Sequence, residues 1–74
     1  MKIVNSIEIG KLIRATRKQA KLTQADLAAA SGIGERFIRE LEKGKPSCQL
    51  EKALLVIQML GIKLDAQLPP SDEQ

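Results

Sequence analysis

The sequence has no histidine, tryptophan or tyrosine, one phenylalanine (Phe37), one cysteine (Cys48) and three prolines. A lone cysteine cannot close an internal disulfide, and without histidine it cannot assemble a zinc ligand set. Catalytic parts are equally scarce. There is no imidazole, no phosphate-cradling glycine loop and no carboxylate cluster at motif spacing, so no enzyme, cofactor or metal role is expected. No apolar run approaches the roughly 18 residues of a membrane span, and the start lacks the apolar stretch of a signal peptide. Sparse thiol usage fits a reducing compartment, which makes the cytoplasm the expected location.

What remains is a 74-residue chain, enough for one small domain. Chains of this size bury only about 60 % of their unfolded surface, and no disulfide or metal staple is on offer here. Association with a second copy is the remaining way to add buried area, so a homodimer is expected. Charge is lopsided. Residues 1–45 hold ten Lys/Arg against five Asp/Glu, whereas residues 46–74 hold two against four. A basic half beside a mildly acidic one points to a polyanion on one side only; an ordinary solvated surface is the alternative.

Met1–Asn5 reads as an arm or a short strand. From Ser6, a plausible N-cap, helical spacing of Ile9, Leu12, Ile13, Thr16 and Ala20 predicts a helix over about 7–20, with Lys11, Arg14, Lys18 and Lys21 on a basic face. Thr23 opens a second helix through a capping box with Asp26, and Leu27 and Ala28 face the core. Gly32 ends it, and Ile33 plugs the turn. A third helix runs from Glu35 to just before Gly44, with Ile38 and Leu41 inward and Arg36, Arg39, Glu40 and Lys43 outward. Thr23–Gly44 therefore reads as two short helices around a sharp glycine corner.

Ser47 is placed to cap a fourth helix over 48–60, with Cys48 as a small residue at its start. Leu50, Ala53, Leu54, Ile57 and Leu60 are expected to face the core, leaving Leu55, Val56 and Met59 for a second buried contact. Residues 62–68 alternate apolar and polar, placing Ile62, Leu64, Ala66 and Leu68 on one face of a predicted strand. Such a strand needs a partner, either residues 2–5 or its own copy in a second chain. Pro69-Pro70 ends it, and residues 69–74 read as a disordered tail. The expected architecture is an all-α, four- to five-helix domain over 6–61 with a short C-terminal strand that pairs across a dimer.

Leu22-Thr23-Gln24, Asp26-Leu27-Ala28, Ser31-Gly32-Ile33, Ile38, Leu41-Glu42, Gly44 and Pro46-Ser47, followed by the Leu54 helix, resemble the lambda-Cro and phage-repressor (XRE-type) helix-turn-helix family over roughly residues 7–61. The strand after the fourth helix more narrowly resembles HipB-type antitoxins. The resemblance implies a sequence-specific repressor that binds double-stranded DNA at a pseudo-palindromic operator. It implies phosphate contact at Thr23 and Gln24 where the second helix begins. Base edges would be read by Glu35, Arg36, Phe37 and Arg39, and phosphates met by Lys43 and Lys45. Arg36 suits a bidentate contact to guanine. Arg17 and Glu42 match a pair that often forms a structural salt bridge. Because Glu35–Arg39 and Arg36–Glu40 are i,i+4 pairs, those side chains can also simply brace their helix. The narrower resemblance implies an autoregulatory antitoxin with a kinase-like toxin partner. The alternatives are a stand-alone phage-type or housekeeping repressor, or a module that chiefly neutralises a toxin.

Overall fold

A computed structural model describes residues 5–46, 49–66 and 68–70. Those residues form four helices: α1 (Ser6–Gln19), α2 (Gln24–Ser31), α3 (Glu35–Glu42) and α4 (Leu50–Met59). Helix α3 lies between α1 and α2, and α4 packs against α2. Ile13, Leu27, Ile33, Ile38, Leu41, Ala53, Val56 and Ile57 form one buried cluster drawn from all four helices and the α2–α3 turn.

Asn5, not Ser6, caps α1: its Oδ1 accepts from the Glu8 N–H at 2.9 Å. The Ser6 hydroxyl is used elsewhere, donating to the Gly44 carbonyl at 2.8 Å and tying the start of α1 to the end of α3. The two helices touch backbone to backbone one turn further on. A Cβ on Gly10 would sit 2.6 Å from the Leu41 carbonyl oxygen and 2.7 Å from that of Glu42, so only glycine fits there. Gly44 combines both constraints, with φ +81° and an imaginary Cβ 2.7 Å from Ile7 Cα. Beyond α1, past the Ala20 cap, the chain turns at Lys21 in the left-handed region, φ 61°. The Leu22 N–H reaches the Arg17 carbonyl at 3.1 Å and the Lys21 N–H that of Lys18 at 2.9 Å. That is the double bond of a Schellman end made without glycine.

Helix α2 begins with a reciprocal capping box. The Asp26 N–H donates to Thr23 Oγ1 at 3.0 Å, and the Thr23 N–H donates to Asp26 Oδ2 at 2.9 Å. Donation from the Thr23 backbone and then its side chain holds the Asp26 carboxyl below its ordinary value. Gly32 closes the helix at φ +72°, and Ile33 turns inward to 7 % exposure.

The C-terminal part departs from expectation in three ways. Helix α4 begins at Leu50 after Gln49, which supplies no side-chain cap; the cap expected of Ser47 and the helix start at Cys48 lie outside the described residues. Its buried face is Ala53, Val56 and Ile57, with Leu60 half-buried, which is the i, i+3, i+4, i+7 row. Leu50 and Leu54 are exposed instead. Val56, expected at an interface, is fully buried within the chain. The periodicity could not decide because α4 is apolar on nearly every side, and contact with α2 selects the face. Finally, no strand forms among the described residues of 62–68. Ile62 packs onto the core, while Lys63–Ala66 and Leu68 are exposed. Alternation alone makes no ladder where no second backbone lies alongside. The arm over residues 1–4 and the tail over 71–74 lie outside the described residues.

Candidate nucleic-acid interface

The α2–turn–α3 unit presents one polar surface, held from behind by Leu27, Ile33, Ile38 and Leu41. Its anchor is Arg17, buried to 7 % exposure. Arg17 Nε donates to Glu42 Oε2 at 2.6 Å, Nη2 donates to Oε1 at 3.0 Å, and Nη1 donates to the Leu22 carbonyl at 2.8 Å. Gln24 Nε2 donates to the same Glu42 Oε1 at 3.1 Å. One carboxylate thus joins α1, α2 and α3. Burial pushes the Glu42 carboxyl up, but donation from Arg17 and Gln24 and the charges of Arg17 and Arg14 outweigh it, and the group sits below its ordinary value. Donation to Glu42 raises Arg17 in turn, against the opposing effect of burial. Both shifts favour the charged form of the pair.

The other polar residues of the unit are placed as follows. Thr23 is exposed, but its hydroxyl and N–H are engaged in the capping box. Arg36 projects into solvent, its side chain 85 % exposed and 3.5 Å from Glu40. Arg39 is 3.6 Å from Glu35, and Lys45 is 3.4 Å from Glu40. Such exposed pairs are worth well under 1 kcal/mol and exchange readily for other partners. Lys43 is exposed at the end of α3. Phe37 is half-buried: its ring packs on the core while Lys52 Nζ stands 5.8 Å from the ring centroid. Gln24, Arg39 and Lys43 thus line one cleft, Arg36 and Lys45 meet at Glu40, and Phe37 stands beside Lys52 of α4. Leu55, Met59, Leu64, Ala66 and Leu68 are exposed in the C-terminal half.

The sequence places Arg14 on the basic face of α1 without giving it a site role; the packing of α1 on α3 brings its charge to bear on Glu42.

A family model described as helix-turn-helix matches residues 13–67. The chain is 44 % identical over 68 residues to an uncharacterized HTH-type transcriptional regulator, y4mF, of Sinorhizobium fredii, with 92 % of this chain and 90 % of that protein covered. The class is that of the HTH-type transcriptional regulators, DNA-binding domains that are not typically enzymes. The chain belongs to the helix-turn-helix family, in its XRE-type branch.

Solved structures share the fold. A HipB–O1–O2 complex superposes with TM-score 0.83 at 22 % identity, covering 90 % of this chain and 97 % of that one. A HipB–O4 20mer complex gives TM-score 0.84 at 21 % identity, covering 95 % and 99 %. A structure named MDT protein gives TM-score 0.84 at 21 % identity with the same coverage. None of the four described helices is long and apolar enough to cross a membrane.

Proposed function

We propose that the protein is a dimeric, sequence-specific repressor that reads a pseudo-palindromic operator with one α3 per half-site. The observation that carries the reading is Arg36, thrust into solvent from a helix whose opposite face is locked into the core. A guanidinium fork so placed suits the O6 and N7 acceptors of guanine. Glu35 and the exposed edge of Phe37 flank it, while Thr23, Gln24, Lys43 and Lys45 border the unit where a groove's phosphates would run. The likeness in fold to structures titled as HipB with O1–O2 and with an O4 20mer supports DNA as the partner.

The apolar surface left over supports dimerisation. Leu50, Leu54, Leu55 and Met59 on α4 and Leu64 and Leu68 beyond it are exposed in the single chain. Residues 62–68 retain the alternation of a strand, and a second copy would supply the missing backbone partner. The same surface supports a finer reading as the autoregulatory antitoxin of a HipA/HipB-like pair, which would hold a kinase-like toxin away from the DNA side. A stand-alone repressor is the other outcome.

Titration of the gene's own upstream duplex against the protein tests the reading. Binding should weaken steeply with added salt, because Lys and Arg release condensed counterions. Arg36→Ala should discriminate less between operator and scrambled duplex by about 1–3 kcal/mol. Salt-insensitive binding, or an unchanged preference in Arg36→Ala, overturns it. Affinity capture from the native cell separates antitoxin from lone regulator, since the latter recovers only copies of itself.

A further inference from the structure

A cleft of about 280 Å³ opens directly above the Arg17–Glu42–Gln24 network, lined by Arg14 of α1, Arg17, Gln24 of α2, and Arg39, Glu42 and Lys43 at the end of α3. Four cations face one carboxylate there. That carboxylate is already spent: both Glu42 oxygens accept from Arg17, and one also accepts from Gln24. Arg14 and Lys43 have no ion-pair partner among the described residues, and Arg39 has only the exposed Glu35 at 3.6 Å. Like charges held around a cleft repel, and an anion between them relieves that repulsion. Three elements converge on the same point, so the arrangement is more than a basic stripe along one helix.

Resting on the DNA-binding reading above, we propose that Arg14, Arg39 and Lys43 clamp one phosphodiester of the DNA backbone over the Gln24–Glu42–Arg17 network. The clamp makes α1 a DNA-contacting element. It also assigns Arg39 to the backbone instead of to a base, leaving Arg36 as the arginine that reads sequence. Glu42 then has a positioning role: it holds Gln24 and fixes the floor of the cleft.

The test measures affinity by fluorescence anisotropy for the upstream duplex and a scrambled duplex of equal length, over a range of KCl concentrations. Arg14→Gln and Arg39→Gln are each expected to weaken both duplexes by the same factor, about tenfold for a lost charged hydrogen bond. Each is also expected to lower the slope of log affinity against log salt by about 0.9, the contribution of one phosphate. Arg14→Lys keeps the charge and should keep the slope. Both positions carry exposed side chains, and unchanged thermal midpoints confine the readout to binding.

An unchanged slope in Arg14→Gln, or an Arg39→Gln that loses only the upstream duplex, overturns the clamp while leaving the DNA-binding reading intact. Wild-type protein that binds neither duplex overturns both. Inorganic phosphate added at constant ionic strength is the remaining arm. Competition by it that vanishes in Arg14→Gln would reassign the cleft to free phosphate.

Discussion

The side chain with the most consequences for the α2–α3 unit is Glu42, which accepts from Arg17 of α1 and Gln24 of α2. Its carboxyl lies below the ordinary value of 4.5, so its protonation is harder in the folded chain than in the unfolded one. The stability it contributes is present above 4.5 and is lost as pH falls through the lower folded value. Urea denaturation across that acid range should show stability declining in the wild type and a flatter profile in Glu42→Gln. Removing one partner of a buried pair strands the other, and Glu42→Ala is expected to cost about 3 kcal/mol by the same measurement. A smaller effect of opposite sign belongs to Lys21. An L-residue in the left-handed region is strained, so Lys21→Gly should stabilise by about 0.5–1 kcal/mol despite glycine's extra unfolded entropy.

At the scale of elements, what is legible in the sequence is what is settled locally. The Thr23–Asp26 capping box, the Gly32 stop and the inward Ile33, Ile38 and Leu41 are decided by residues within a turn of one another, and the structure places them so. Helix α4 is different because Leu, Ile, Val and Met occupy most of its positions and leave its periodicity uninformative. Only the approach of α2 selects Ala53, Val56 and Ile57. Substitution separates the two faces. Val56→Ala should cost about 2 kcal/mol, the transfer term of a buried Val plus a small cavity. Leu50→Ala, on an exposed side chain, should stay within about 0.5 kcal/mol in the monomer. Equal losses at the two positions would contradict the observed face. The predicted strand fails for a related reason: period two is a property of the segment, whereas a strand is a property of two backbones. The site shows the same division. Arg36 and its exposed neighbours on α3 can be read off one helix's outward face, but Arg14 joins the cleft only through the crossing of α1 and α3.

For the whole molecule, the question is how so small a core reaches useful stability. Exposed Leu54, Leu55, Met59 and Leu64 supply apolar area for a second copy. Sedimentation should therefore report a dimer, and Leu55→Asp with Met59→Asp should shift it to monomer without unfolding α1–α3. An operator with two half-sites would then lose far more affinity than a single half-site, since linked binding events reinforce one another. Stability of the wild type should rise with protein concentration, as it does whenever folding and association are coupled.

The backbone contact at Gly10 gives this architecture a genetic handle. Gly10→Ala would push α3 away from α1 at Leu41 and Glu42, tilting the reading surface and loosening the Ser6–Gly44 tie. Such a lesion is survivable when stability is at its maximum and ruinous near the midpoint of unfolding. The expected phenotype is a temperature-sensitive regulator, silent on its operator when warm and restored on cooling. A position remote from the proposed base contacts would then act as a thermostat for the regulator.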